Sequence, residues 1–374
     1  MSTNHFVNIQ KNDLRRFIKE VFISQGLLEK HSQTAADVLC YADEHGFTTH
    51  GVTNLRNVYL ERLMDRRINP KAEFSIAAES PGTAVIDAHH GLGLVAGDYA
   101  INVAIQKAKK VGVGCVVVRQ SSHFGSAGYY TNLALKNGMI GIAMTNLGSQ
   151  TIARPLGGSV NMIGTNPIAM SAPAKKVPPF VLDMSTTVVA TGKIRDAQRR
   201  GESIPEGWLI DDYGQPQTDP NTYFEGTGHL QMLGGALATG GAKGYGLGLL
   251  VDILCGVLSG ANVGPDPKIL KAGQSDEQSK KDQNIGHFFL ALNVEAFRPL
   301  LEFQDQMDSM LETLLNCPTT SDSNQVVYPG YLESMRKNQS ELVAIDRSVF
   351  EDLSRLGNQF DITIPETEKV VTHS

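Results

Sequence analysis

The run Thr83-Ala84-Val85-Ile86-Asp87-Ala88-His89-His90-Gly91-Leu92-Gly93-Leu94-Val95-Ala96-Gly97 decides how the chain is read. Its first five residues are rich in branched side chains that fit a pleated surface, and they predict a strand. A glycine-rich turn follows, then a helix over Gly97–Lys110 and a second strand over Gly114–Arg119, completing a β-turn-α-β unit. The turn imitates the dinucleotide fingerprint G-x-G-x-x-G, but its third glycine is displaced by one. The next strand ends in Val118-Arg119-Gln120, with no acid for a ribose; Arg119 has the charge for a 2′-phosphate or for an ordinary surface position. A plain tight turn is the better reading.

Upstream, apolar residues recur at helical spacing from Lys11 to Leu63: Leu14, Phe17, Ile18 and Val21, then Ala35, Val38, Leu39 and Ala42, then Leu55, Val58, Tyr59 and Leu63. Downstream, strands are expected at Ile140–Thr145, Pro167–Ser171, Phe180–Met184 and Ile285–Asn293, with a helix near Tyr129–Asn137. Glu202–Glu225 is full of turn formers and reads as a surface excursion. Gly244–Leu258 reads as a buried helix, too short and too interrupted to cross a bilayer. Ala272–Asn284 is polar and aperiodic, the best candidate for a disordered loop, and amphipathic helices at Phe297–Leu315 and Arg347–Leu356 close the chain.

A length of 374 residues makes two domains the default, and 41% hydrophobic with 19% charged residues fits a globular enzyme. The net charge of -6, with basic residues dispersed, disfavours nucleic acid. Cys40, Cys115, Cys255 and Cys317 lie far apart without CxxC spacing and are expected as reduced thiols in a cytoplasmic protein. Neither a signal peptide nor a membrane segment is predicted. His89-His90 lacks metal-ligand spacing and no G-x-S-x-G is present, so neither a metal site nor a serine hydrolase is expected.

Three groups of reactive side chains lie beside glycines, where backbone can approach a ligand closely. The first is Asp43-Glu-His-Gly-Phe-Thr-Thr49-His50-Gly51, which a capped turn also explains. The second, Ser121-Ser122-His123-Phe124-Gly125-Ser126, follows a strand end, where ligands collect in α/β proteins. The third is dispersed over Asn146, Gly164-Thr165-Asn166-Pro167, Asp183-Met184-Ser185 and Gly241-Ala242-Lys243-Gly244-Tyr245-Gly246. Its hydroxyls and amides suit a ribose, and Lys243 near a helix start suits a phosphate.

In order along the chain, Thr49-His50-Gly51-Val52, Ser121-Ser122-His123-Phe124-Gly125, Gly164-Thr165-Asn166-Pro167, Asp183-Met184-Ser185, Gly192-Lys193, Ile204-Pro205-Glu206-Gly207-Trp208 and Lys243-Gly244-Tyr245-Gly246 resemble the type 2 malate/L-lactate dehydrogenase family. The resemblance implies an α/β oxidoreductase of non-Rossmann type, a helical domain built from the chain ends and an α/β cofactor-binding domain. The segments are then 1–120, the N-terminal helical region with the first β-α-β unit; 121–293, the cofactor-binding domain; and 294–374, C-terminal helices packing back on the N-terminal region. It further implies a homodimer using NAD, with NADP as the alternative, on a small 2-hydroxy or 2-keto acid, malate foremost. Reduction of an imine or diketo acid, or a catalytically silent binding protein, are the competing readings.

By position, His50 and His123 match the family's acid/base histidines. Thr49, Arg56 and Ser122 are the substrate-binding candidates; Ser149, Thr165, Asn166, Asp183, Met184, Ser185, Lys243 and Gly244 are those for the cofactor. A histidine suits proton exchange because its ordinary pKa of ~6.5 lies near working pH. One departure matters most: Asn54 stands where the family commonly carries a carboxylate-binding arginine, and Arg56 is the nearest replacement.

Overall fold

The computed structural model describes residues 5–271, 284–320 and 325–368. Most of the polar stretch expected to be a loop, residues 272–283, therefore lies outside the described residues.

A short strand that helical periodicity did not announce, β1 (Phe6–Gln10), precedes helices α1 (Lys11–Ser24) and α2 (Glu29–Glu44). Both helices bury the stripes expected of them, Leu14, Phe17, Ile18 and Val21 on α1 and Ala35, Val38, Leu39 and Ala42 on α2. The region after His50 is not one regular helix. It runs through a 3-10 turn (Val52–Asn54), a π-helical stretch (Leu55–Leu60) and one α turn, α3 (Glu61–Met64). The wider π turn offsets the positions of the buried side chains Leu55, Tyr59 and Leu60.

Then come β2 (Ser75–Glu79), β3 (Thr83–Asp87), α4 (Gly93–Val111), β4 (Val113–Ser121), α5 (Ala127–Leu135), β5 (Met139–Thr145), β6 (Ile168–Ala172) and β7 (Phe180–Met184). Helix α4 begins at Gly93, four residues before the expected start, so half of the glycine-rich turn is already helical. Gly93 is required there because a Cβ would lie 2.0 Å from the Ser122 carbonyl oxygen. After α6 (Thr191–Arg200), the excursion at Glu202–Glu225 is more ordered than its turn formers implied. It supplies β8 (Leu209–Ile210), β9 (Pro216–Gln217) and α7 (Asn221–Glu225), and with β10 (His229–Leu230) forms a small antiparallel sheet.

Helix α8 (Gly241–Val251) continues into a π-helical stretch, Asp252–Val257, and α9 (Pro267–Lys271) follows. The expectation of a fully buried helix here is corrected: Leu250, Ile253, Val257 and Leu258 are exposed, while Val251 and Cys255 face the sheet. Apolar content alone does not distinguish a core face from an uncovered one. Strand β11 (Ile285–Asn293), α10 (Leu300–Leu315), α11 (Tyr331–Gln339), β12 (Leu342–Asp346), α12 (Arg347–Phe360) and β13 (Thr367–Glu368) complete the chain.

Among the described residues, seven strands form one mixed sheet in the order β2-β3-β4-β11-β5-β6-β7, in which only β3 and β4 run parallel. That single parallel pair is the β-α-β unit read from the sequence, joined by α4. Late in the chain, β11 enters the sheet between β4 and β5 and so ties the first unit to the remainder. Alternation sends Val116 and Val118 into the main core with Phe17, Leu39 and Ile101, while Val117 turns to the opposite face with Met144, Phe288 and Cys255. The chain ends meet in a second sheet, β12-β1-β13. Its β1 and α1 pack against α12, giving the helical part built from both termini.

Candidate active site

His50 and His123 come from different parts of the chain, yet their rings lie nearly parallel with centroids 6.1 Å apart. His50 ends the turn after α2, and its Nδ1 lies 2.9 Å from Thr49 Oγ1. Two partners shape that turn. Asp43 Oδ2 accepts the Val52 N–H at 2.8 Å, and Asn54 Nδ2 donates to the Thr49 carbonyl at 2.8 Å. Asn54 is buried and committed to backbone. Its position closes the histidine turn.

His123 lies just beyond the end of β4. Tyr59 Oη lies 2.8 Å from its Nδ1, and the Gly125 N–H donates to the same nitrogen at 3.2 Å. Burial pushes the His123 pKa down to about 3, helped by the neighbouring charges of His50 and Arg62, so the ring is neutral at working pH. Burial lowers His50 as well, but the charge of Asp183 opposes that shift.

Asp183, near the end of β7, accepts Ser126 Oγ–H at 2.8 Å and Gly128 N–H at 2.7 Å. Ser126 precedes the first residue of α5, so the carboxylate sits at a helix N-terminus, where negative charge is favoured. Burial raises its pKa, while Gly128, Ser126 and His50 hold it down. Two loops that were separate in sequence are thereby joined behind the histidines.

The other expected residues divide. Ser122 is buried; its Oγ accepts the Gly93 N–H at 2.8 Å and donates to the Gly91 carbonyl at 3.2 Å, stapling the glycine-rich turn. Arg56 pairs with Asp352 of α12, its Nε 2.6 Å from Oδ1. Arg119 pairs with Asp87 at 3.0 Å. Thr49 packs on Gly192, where a Cβ would lie 2.5 Å from Thr49 Cγ2, and it also lines a cleft of about 570 Å³ with Lys193, Arg200 and Trp208.

The amide and hydroxyl loops converge on a residue the sequence showed only as an interruption in an apolar run. Asp252 is buried and accepts from Asn146 Nδ2 at 3.0 Å, Asn166 Nδ2 at 2.9 Å and the Gly264 N–H at 3.3 Å. Asn166 has φ 40°, and its Nδ2 also donates to the Gly248 carbonyl of α8 at 2.8 Å. Its Oδ1, like that of Asn161, is buried with no hydrogen-bond partner among the described residues. Gly244 permits close packing on the 233 loop, since a Cβ would lie 2.2 Å from the Leu233 carbonyl oxygen. Lys243 is exposed in the first turn of α8. Ser185 Oγ donates to the Thr187 carbonyl at 3.0 Å, while Ser149, Thr165 and Met184 are half-buried on the adjoining segments. Unpaired buried acceptors, glycine-lined backbone and a lysine at a helix N-terminus fit a ligand with hydroxyl donors and phosphates.

Tyr59 and Asp252 were given no site role from sequence, and Asp43 entered only as the start of the first reactive group. Tyr59 counted as one more apolar helix position, and its hydroxyl was the only hint.

Joined to the likenesses to known proteins, a mixed sheet, a helical part built from both termini and a pair of nearly parallel histidines define a dehydrogenase of the 2-hydroxyacid class. The sequence profile described as malate/L-lactate dehydrogenase matches residues 9–354, and the chain belongs to that family. It is 40% identical to the malate dehydrogenase of Pyrococcus abyssi over 87% of each chain. It is 30% identical to the ureidoglycolate dehydrogenase (NAD(+)) of Escherichia coli O157:H7 over 91% of this chain and 92% of the relative. Among solved structures, sulfolactate dehydrogenase from Methanocaldococcus jannaschii superposes with a TM-score of 0.82 at 36% identity, covering 96% and 98% of the two chains.

Proposed function

We propose that the chain catalyses reversible oxidation of a small 2-hydroxy acid, malate foremost, with NAD as cofactor. The observation that carries this reading is the pair of parallel histidines backed by Asp183. Hydride transfer to or from the substrate carbon would be the contribution of a bound nicotinamide. The protein has to manage the proton on the substrate oxygen. Of the two histidines, His50 has the Asp183 carboxylate near enough to favour its charged form, whereas the positive charges of His50, Arg62 and His287 disfavour a charged His123. His50 therefore exchanges the proton, Asp183 stabilises the resulting imidazolium, and His123 binds the same oxygen.

Thr165, Asn166, Met184, Ser185 and Ser149 would hold the ribose and nicotinamide ends of the dinucleotide, and Lys243 with Gly244 the phosphates. The 40% identical malate dehydrogenase supports malate, and the relative named for NAD(+) supports NAD over NADP.

Homodimer formation is supported by the uncovered apolar residues Leu250, Ile253 and Val257, spaced to share one side of a helix. A cytoplasmic setting is supported by four free thiols. No helix among the described residues is long and apolar enough to cross a membrane.

The test is turnover of oxaloacetate, pyruvate, 2-oxoglutarate and sulfopyruvate with NADH and with NADPH. Oxaloacetate with NADH should give the highest kcat/KM, and His50→Gln and His123→Gln should each lower kcat by about 10²–10⁴. No turnover of any of the four acids, or full activity in both variants, rejects the reading.

A further inference from the structure

Two hydrogen-bond donors converge on one nitrogen of His123. The Gly125 N–H is a backbone amide and has only a proton to offer, and it points at Nδ1 from 3.2 Å. A proton on Nδ1 would face that amide proton head on. Nδ1 is therefore the bare nitrogen, and Tyr59, whose oxygen lies 2.8 Å away, donates its own hydroxyl proton to it. A neutral imidazole carries one proton, which leaves it on Nε2. Among the described residues Nε2 has no hydrogen-bond partner, so it is the nitrogen free to meet a ligand.

The surrounding packing makes this arrangement hard to escape. Gly125 has φ +80°, and a Cβ there would lie 2.9 Å from Val38 Cγ1 and 3.0 Å from Leu94 Cδ2, so the amide that faces His123 requires glycine. Tyr59 is fully buried, with its ring edge-on to Phe22 at a centroid separation of 6.4 Å. Burial also raises the Tyr59 pKa, which keeps its proton in place.

We infer that Tyr59 is a positioning residue which, with the Gly125 amide, holds His123 as the neutral tautomer protonated on Nε2. The same contacts oppose the imidazolium, which would need a second proton on Nδ1. Resting on the dehydrogenase reading, His123 then donates a hydrogen bond to the substrate oxygen and leaves proton exchange to His50.

The experiment is nitrogen NMR of the full chain labelled with ¹⁵N-histidine, with the His123 signals identified by their loss in His123→Gln. The expected result is a bare Nδ1 and a protonated Nε2 that persist as pH falls from 8 to 5. A protonated Nδ1, or a ring that gains a second proton in that interval, overturns the inference. Tyr59→Phe keeps the buried ring and removes one donor. It should move the His123 nitrogen shifts and lower kcat roughly tenfold, the size of one hydrogen bond, with KM for NADH unchanged. Unmoved shifts and unmoved kcat in that variant also overturn it. The wild-type spectrum answers the tautomer question even if Tyr59→Phe does not fold. A bare Nδ1 in a protein that turns over no hydroxy acid supports the tautomer while rejecting the activity.

Discussion

Gly51 lies directly over the carboxyl group of Asp43: a Cβ on Gly51 would fall 2.0 Å from Asp43 Oδ1 and 2.3 Å from its Cγ. The residue beside His50 is thus glycine because a buried acid occupies the space of a side chain. Gly51→Ala must move either the carboxyl group or the histidine turn. Overpacking of this kind costs about 1–3 kcal/mol, and we expect a lower Tm together with a fall in kcat of more than about tenfold. A variant that melts and turns over like the wild type would show that the turn has slack.

The same carboxyl group couples stability to pH. Burial, reinforced by Glu44 and opposed by the Val52 N–H, pushes Asp43 up to about 8. Its folded pKa exceeds its unfolded value, so between pH 4 and 8 the folded state binds more protons than the unfolded one, and this group's contribution to stability falls as pH rises through that window. Asn keeps an acceptor for Val52 without ionising. Asp43→Asn should therefore gain in Tm relative to the wild type as pH is raised from 5 to 8. Parallel melting curves across that range would remove the linkage.

Arg56 is paired with Asp352 at 2.6 Å, and both side chains are partly exposed. Breaking such a pair costs at most about 1 kcal/mol. Arg56→Gln should lower Tm slightly and leave KM for the keto acid within about twofold, well under the 1.4 kcal/mol of a tenfold change. A KM raised tenfold or more by Arg56→Gln, but unmoved by Asp352→Asn, would instead assign Arg56 to the substrate carboxylate.

Asp252 ties three loops together through Asn146, Asn166 and the Gly264 amide. Its removal leaves buried donors short of an acceptor, at about 1–3 kcal/mol each. Asp252→Ala should raise the Kd for NADH by roughly tenfold or more, equivalent to about 1.4 kcal/mol, and lower Tm. Asp252→Asn, which retains one acceptor oxygen, should fall between it and the wild type. NADH titration by fluorescence decides the matter: unchanged affinity in Asp252→Ala would mean that the three loops hold their places without it.

Local pattern was enough for part of this molecule. The stripes on α1 and α2, the β3-α4-β4 unit and most strands of the large sheet follow from periods of 3.6 and 2 residues, which report burial within one element. The family resemblance likewise pointed to His50 and His123 together, whose rings the fold brings to 6.1 Å, and read the imitation fingerprint at Gly91–Gly97 as a structural turn. Periodicity was silent wherever a partner came from far along the chain. Strand β1 is recognisable through its pairing with β12 and β13, and α8 exposes apolar residues that a sequence assigns by default to a core. Ser122, Arg56 and Arg119 have site-like chemistry, but the tertiary structure spends each on Gly91 and Gly93, Asp352 or Asp87. Tyr59 reads as one more core aromatic until its hydroxyl is seen at His123. Sequence determined which side chains were present and which face of each element they share. Only the tertiary structure decided which of them meet, because a hydrogen bond acts over about 3 Å and its two ends are brought together by folding, not by neighbourhood in the chain.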